Sequence, residues 1–251
     1  MTYGPAFARA YDRWWGAFAT EVAPAIHAFH AGRAGERSLL DVCCGTGHLA
    51  RYFAERGYRV LGLDRSAAML AQARRRLEPY MDGQAELIEA DATAFTLRRP
   101  VGLAVATFDA MNHLEDLSAL ARCVARVAAA TLPGGVFVFD LNTRKGLRAR
   151  WKGTRVEEDA DGMYVTRGRY DGDGDRATMH VSGFIRGADG RYERFDETHH
   201  NTVFALADIQ RTLLAAGWAR AHFARLDALP TPLADPEQEG RVFVVAERAG
   251  V

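Results

Sequence analysis

Lysine is nearly missing from this chain. Lys145 and Lys152 stand alone, and arginine supplies the rest of the 32 basic residues. The 32 acidic residues cancel them, so the net charge is zero. A neutral chain has no electrostatic footprint for nucleic acid or for an anionic bilayer, and neither is expected as a partner. Also absent is any apolar run of about 18 residues that could cross a membrane. No leader pattern is seen, and a cytoplasmic location is expected. Three cysteines are too few for a disulfide framework. Cys43, Cys44 and Cys123 read as small buried fillers in a reducing compartment. No Cys/His spacing suits zinc. The Asp/Gly run ending at Asp175 is no EF-hand, because Arg176 and Ser182 stand where that loop needs glycine and glutamate. No metal is expected.

What is present is organised around one stretch, Leu39-Leu40-Asp41-Val42-Cys43-Cys44-Gly45-Thr46-Gly47-His48-Leu49-Ala50. An apolar run ends in Asp-x-x-x-Gly-x-Gly and a helical pattern begins, which predicts strand, tight turn and helix start. Free N–H groups at that helix start attract polar or anionic ligand groups. The glycines also meet the loose dinucleotide fingerprint, with Asp64 about 20 residues on. Asp41 favours a different ligand. It stands four residues before the first glycine, where a dinucleotide site usually has an apolar residue. A carboxylate there suits an ammonium group, which S-adenosylmethionine has and NAD lacks.

This loop resembles that of class I S-adenosylmethionine-dependent methyltransferases, of the type that modifies oxygen or nitrogen on small molecules. Further stretches extend the resemblance. Asp64-Arg65-Ser66-Ala67-Ala68-Met69-Leu70 is similar to the family's D-x-S-x-x-M-L. There it implies a ribose on Asp64, beside Arg65, and adenine against Met69, although Met69 equally fits a helix core. Asp91-Ala92 matches a pair that reads the adenine edge, and an aspartate-initiated turn is the alternative. Phe108 to Leu114 resembles the loop beneath the transferring methyl, with Phe108 and His113 facing the cofactor. It is unlike the Pro-Pro-Tyr motif of enzymes that methylate base amines. Tyr11-Asp12 resembles a pair on an N-terminal helix that folds over the cofactor.

The expected fold is α/β: a Rossmann-like seven-stranded sheet with the last strand antiparallel and helices on both faces. Residues 1–141 and 205–251 make the cofactor domain, with an aromatic, amphipathic helical lid over 1–30. Residues 142–204 make an antiparallel β insertion after the fifth strand, covering the acceptor site. Three strand-like runs are expected there, over 155–170, 176–186 and 191–204. In the last run, period-2 alternation puts Glu197, His199 and Asn201 on one face. Relatives carry Glu-x-His-x-x-Arg in such a strand, but Thr202 stands where the arginine would be.

Methyl transfer from a sulfonium mainly requires alignment and exclusion of water. A protonated amine or a hydroxyl acceptor also calls for a base. His113 and His199 are the candidates, with Glu197 orienting His199. The expected activity is transfer of a methyl group from S-adenosylmethionine, yielding S-adenosylhomocysteine, to a small polar acceptor. The alternatives are an NAD-linked oxidoreductase and a protein that binds S-adenosylmethionine without using it. A monomer or a homodimer fits.

Overall fold

The computed structural model describes residues 3–170 and 172–250. Five parallel strands form its centre: β1 (Ser38–Val42), β2 (Arg59–Asp64), β3 (Ala85–Glu89), β4 (Val101–Ala106) and β5 (Thr131–Asn142). An insertion follows β5 and holds β6 to β9, whose bounds are given below. Then β10 (Arg220–Ala224) and β11 (Arg241–Glu247) complete a seven-stranded sheet in the order β10-β11-β5-β4-β1-β2-β3. β11 runs antiparallel to both neighbours, the one reversed strand expected. β1 and β4 are buried along their whole length. Helices on both faces demand continuous apolar runs there rather than alternation.

The helices are α1 (Pro5–Trp14), α2 (Ala17–Ala31), α3 (His48–Ala54), α4 (Ala67–Leu77), α5 (Leu117–Ala129), α6 (Arg144–Arg150) and α7 (Leu206–Ala215). Strand alternation sorts the core into two layers. Leu39, Val136 and Val138 pack with Val22, Ile26 and Phe53 on the α2–α3 side. Leu40, Val42, Phe137 and Phe139 pack with Leu120, Val124, Ile209 and Leu213 on the α5–α7 side. Each such side chain contributes about 1.5–3 kcal/mol by leaving water. The chain winds outward from β1 to β3 and returns to β4, so the sheet reverses between β1 and β4. Ligands of open α/β sheets lie beyond the strand ends at that reversal.

Two expectations need correction. The helical segment over 1–30 is two helices, because it serves two cores. Phe7, Ala8 and Ala10 of α1 pack with Tyr164, Val181, Ile185 and Phe195 of the insertion, whereas Val22, Ala23 and Ile26 of α2 pack on the main sheet. α1 covers the main cavity above the strand ends, and α2 reaches it only through its first turn, where Phe18 stacks on Phe108. The insertion has four strands rather than three: β6 (Gly153–Asp159), β7 (Gly162–Arg169), β8 (Arg176–Arg186) and β9 (Tyr192–Thr202), antiparallel and adjacent in that order. The run over 155–170 reverses where Asp159 Oδ1 accepts the Asp161 amide at 2.8 Å, a side-chain-closed turn. Pro133-Gly134-Gly135 lies within β5, as a register shift facing β4 between Val101 and Leu103.

Candidate active site

Two glycines shape the cofactor loop for separate reasons. Gly45 has a φ of +54°, and its amide donates to Asp64 Oδ2 at 2.9 Å. Gly47, at φ +79°, stands just before α3, and a Cβ there would lie 3.0 Å from the Ala73 methyl of α4. Its lack of a side chain lets α4 close on the loop. Asp64 Oδ1 accepts the Ser66 amide at 2.8 Å, and Ser66 Oγ caps α4 by accepting from Met69 N. The second carboxylate thus fastens two backbone turns while its remaining lone pairs face the cavity.

Above the strand ends lies a cavity of about 410 Å³, within the range of small-molecule sites, roughly 300–1,000 Å³. Tyr11, Gly45, Asp64, Arg65, Met69, Asp91, Ala92, Phe108, His113 and His199 all line it. A smaller cavity of about 30 Å³ adjoins it and shares Tyr11, Trp15, Cys43, Thr107 and Phe108 as walls. Asp41 lines this annex. Its Oδ2 is buried without a hydrogen-bond partner. Burial, then the neighbouring Asp64 charge, pushes the Asp41 carboxyl up to about 8. A buried acceptor without a donor is costly, and a cationic ligand group would supply the missing partner. The residues therefore fit the amino-acid end of S-adenosylmethionine in the annex and its nucleoside in the main cavity.

Cys43 packs on the core but is not only a filler. At φ +60° it lines both cavities. Asp91 closes its own turn, with Oδ1 taking the Thr93 amide at 2.7 Å and the Thr93 hydroxyl at 2.6 Å. The turn reading and the lining of the cavity hold together. Gly47 lines neither cavity. Nor does Glu197: its Oε1 accepts the Gly4 amide at 3.4 Å, and it makes no hydrogen bond to His199. Its carboxylate thus accepts from the residue that precedes α1. His199 is paired instead with the Tyr3 hydroxyl, 3.4 Å from Nδ1. Burial, then the His113 ring, drives the His199 imidazole down to about 3. Burial also lowers His113, but the Asp109 carboxylate opposes that shift. The two imidazoles stand edge to face with centroids 6.1 Å apart.

Beneath His113 lies a cluster that sequence reasoning missed. Phe108 and Asp109 both take positive φ, +63° and +49°, a conformation costing about 1–3 kcal/mol per residue unless the surroundings impose it. Asp140, fully buried in β5, imposes it by accepting the Phe108 amide at 2.6 Å and the Asp109 amide at 3.0 Å. Arg241 bridges the two carboxylates, bonding Asp140 Oδ2 and, at 2.9 Å, Asp109 Oδ1. Its guanidinium lies 4.7 Å from the Phe18 ring centroid. A polar ladder ties the insertion on. Asn142 Nδ2 donates to Asn201 Oδ1 at 3.0 Å, and its amide donates to Asn112 Oδ1 at 2.9 Å. An aspartate inside Phe-Val-Phe-Asp-Leu-Asn was the signal available in the sequence. Among the described residues no three His, Cys, Asp or Glu side chains gather as a metal site, and no helix is long and apolar enough to cross a membrane.

A glycine turn at the reversal of a parallel sheet, an orphaned carboxylate beside it and an acid closing the next strand define a site for a nucleoside with a cationic arm. Comparison with known proteins agrees. Residues 39–135 match a methyltransferase domain family. The chain is 36% identical over 186 residues, 72% of its length and 69% of the relative's, to dTDP-3-amino-3,6-dideoxy-alpha-D-glucopyranose N,N-dimethyltransferase of Streptomyces fradiae. In fold it resembles an S-adenosylmethionine-dependent methyltransferase of Clostridium acetobutylicum ATCC 824, with TM-score 0.79, 21% identity and 97% and 98% of the two chains covered. A sugar N-methyltransferase of Streptoalloteichus sp ATCC 53650 gives TM-score 0.72 at 25% identity, covering 99% of this chain and 96% of that one. The chain belongs to the S-adenosylmethionine-dependent methyltransferases. It transfers a methyl group from S-adenosylmethionine to nitrogen or oxygen of a small molecule. The oxidoreductase and non-catalytic alternatives find no support among these relatives.

Proposed function

We propose that the acceptor is an amine on a small sugar-like molecule with an anionic handle, and that His113 takes the proton released. The observation that carries this is the pairing of His113 with Asp109, whose carboxylate opposes the loss of basicity that burial brings. His199 lacks such help and, at about 3, holds a proton poorly near neutral pH. Its neutral ring serves instead as a hydrogen-bonding wall, steadied by Tyr3. A named activity among the relatives points the same way: the Streptomyces fradiae relative acts on an amino sugar carried on dTDP. The insertion end of the cavity is lined by Lys152, Arg155 and Glu157, and neither cation makes an ion pair among the described residues. These cations suit a phosphate-bearing handle.

The donor supplies an activated methyl on a sulfonium. The acceptor nitrogen forms its bond to that carbon as the carbon–sulfur bond breaks; the electron pair stays on sulfur, and the N–H proton passes to the imidazole. The protein aligns the partners and keeps water out. We further read β6 to β9 and α1 as the acceptor-side cover, Asp64 as the ribose contact and Asp91-Ala92 as the adenine contact. The test offers labelled S-adenosylmethionine with a dTDP-amino sugar and with the same sugar bearing hydroxyl in place of the amine. Label on the amino sugar alone is expected. Equal transfer to both would remove the amine from the reading.

A further inference from the structure

We propose that Asp109, held by Arg241 and Asp140, is the positioning residue that lets His113 accept the acceptor's proton. This rests on the reading of His113 as the proton acceptor. The four side chains form one line from the core to the cavity: Asp140 at the end of β5, Arg241 at the start of β11, and Asp109 and His113 on the turn after β4. Asp109 divides its oxygens between the two sides. Oδ1 takes Arg241 at 2.9 Å, and Oδ2 faces His113 Nε2 at 3.9 Å. That second contact is an ion-pair distance, and such contacts tighten when substrate fills a site.

Asp109 shares the Arg241 guanidinium with Asp140 through Oδ1 and keeps Oδ2 for the side facing the imidazole, where its charge favours a proton on His113. Arg150 is near, but it bonds the Asn142 side chain and the Gly240 carbonyl rather than either acid. The other charged or titratable groups acting on His113 are Arg65, from the turn after β2, and His199 and His200 of β9; their charges disfavour a second positive charge, while the His200 backbone, hydrogen-bonded to the imidazole, favours it. Asp109 is the one acid set against them. The strained backbone at Asp109 is therefore the means by which the fold turns this carboxylate toward the site.

The test is nuclear magnetic resonance of the full chain with labelled histidine and aspartate. Asp109→Asn keeps the shape and removes the charge, so the proton affinity of His113 should fall at least tenfold while S-adenosylmethionine still binds. Unchanged His113 titration in a folded variant would overturn the proposal. A second measurement needs no change at Asp109. In the unmodified protein the Asp109 carboxyl carbon should show a step at the pH where His113 titrates, and His113→Gln should abolish that step. No step in the unmodified protein would overturn it too. Failure of the proton-acceptor reading looks different: the resonances behave as expected, yet His113→Gln turns over an amino sugar at the full rate.

Discussion

The Gly45 amide and Asp64 Oδ2 lie 2.9 Å apart, so the turn after β1 is pinned to the tip of β2. One carboxylate thus shapes the loop and faces the ligand. Asp64→Ala should weaken S-adenosylmethionine binding by about 1–3 kcal/mol, the range for a lost hydrogen bond to a charged group. Calorimetry reads this directly, and an unchanged affinity would place the ribose elsewhere.

Asp41 predicts a proton linkage. Its folded-state carboxyl lies near 8, raised first by burial and then by Asp64, against about 3.9 in an unfolded chain. A raised carboxyl stabilises the protonated fold, fully below the unfolded value and less as pH climbs through the folded one. Between about pH 4 and 8 the ligand-free protein should therefore lose stability from this group. A bound ammonium favours the carboxylate, so binding near pH 6.5 should release about one proton. Titrations in buffers of different ionisation heat measure that number. Asp41→Asn should abolish the release, and an unmodified protein that releases none would refute the linkage.

Asp12 fastens the covering helix. It accepts His48 Nε2 at 2.9 Å and takes both terminal nitrogens of Arg76, at 2.8 and 3.1 Å. Burial raises its carboxyl, but the bonds from His48 and Arg76 outweigh that and hold it well below the usual carboxylate range. A depressed acid stabilises the fold above its unfolded pKa, and this support is lost as pH falls below about 4. Asp12→Ala should cost about 1–3 kcal/mol and speed proteolytic cleavage within α1 more than within α5. Equal protection of the two helices would show that α1 is held by its apolar face alone.

The main sheet was legible because β1, β2 and β4 are buried on both faces and the first four strands end at or lead into a marked residue: Asp41, Asp64, Asp91 or the turn at Phe108. The loop geometry was legible for a related reason, since a single β1–α3–β2 unit brings Asp41, Gly45 and Asp64 together. The acceptor side was not. Arg241 and Asp140 are 101 positions apart, and only the antiparallel pairing of β11 with β5 makes them neighbours. Glu197 and His199 share a face of β9 as alternation requires, yet which one reaches the cavity depends on where α1 lies. The reversal between β6 and β7 carries its own turn signal in Asp161-Gly162, which is easily passed over inside a run as long as 155–170.

The asparagine ladder should prove structural. Asn142, fully engaged with Asn112, Asn201 and Arg150, joins the insertion to the main sheet. Asn201→Leu leaves Asn142 Nδ2 without an acceptor in a buried place, at a cost of about 1–3 kcal/mol. Denaturant melts should show the loss. A stability within about 0.5 kcal/mol, the range for substitutions away from such networks, would mean the ladder contributes little.

One measurement bears most directly on the whole account: a crystal structure with S-adenosylhomocysteine bound. Its ammonium should lie about 3 Å from Asp41 Oδ2, its ribose on Asp64, and its sulfur should face His113 and His199 across the space left for the acceptor. Density for the ligand outside this cavity, or a cofactor amine far from an Asp41 that is still unpaired, would contradict it.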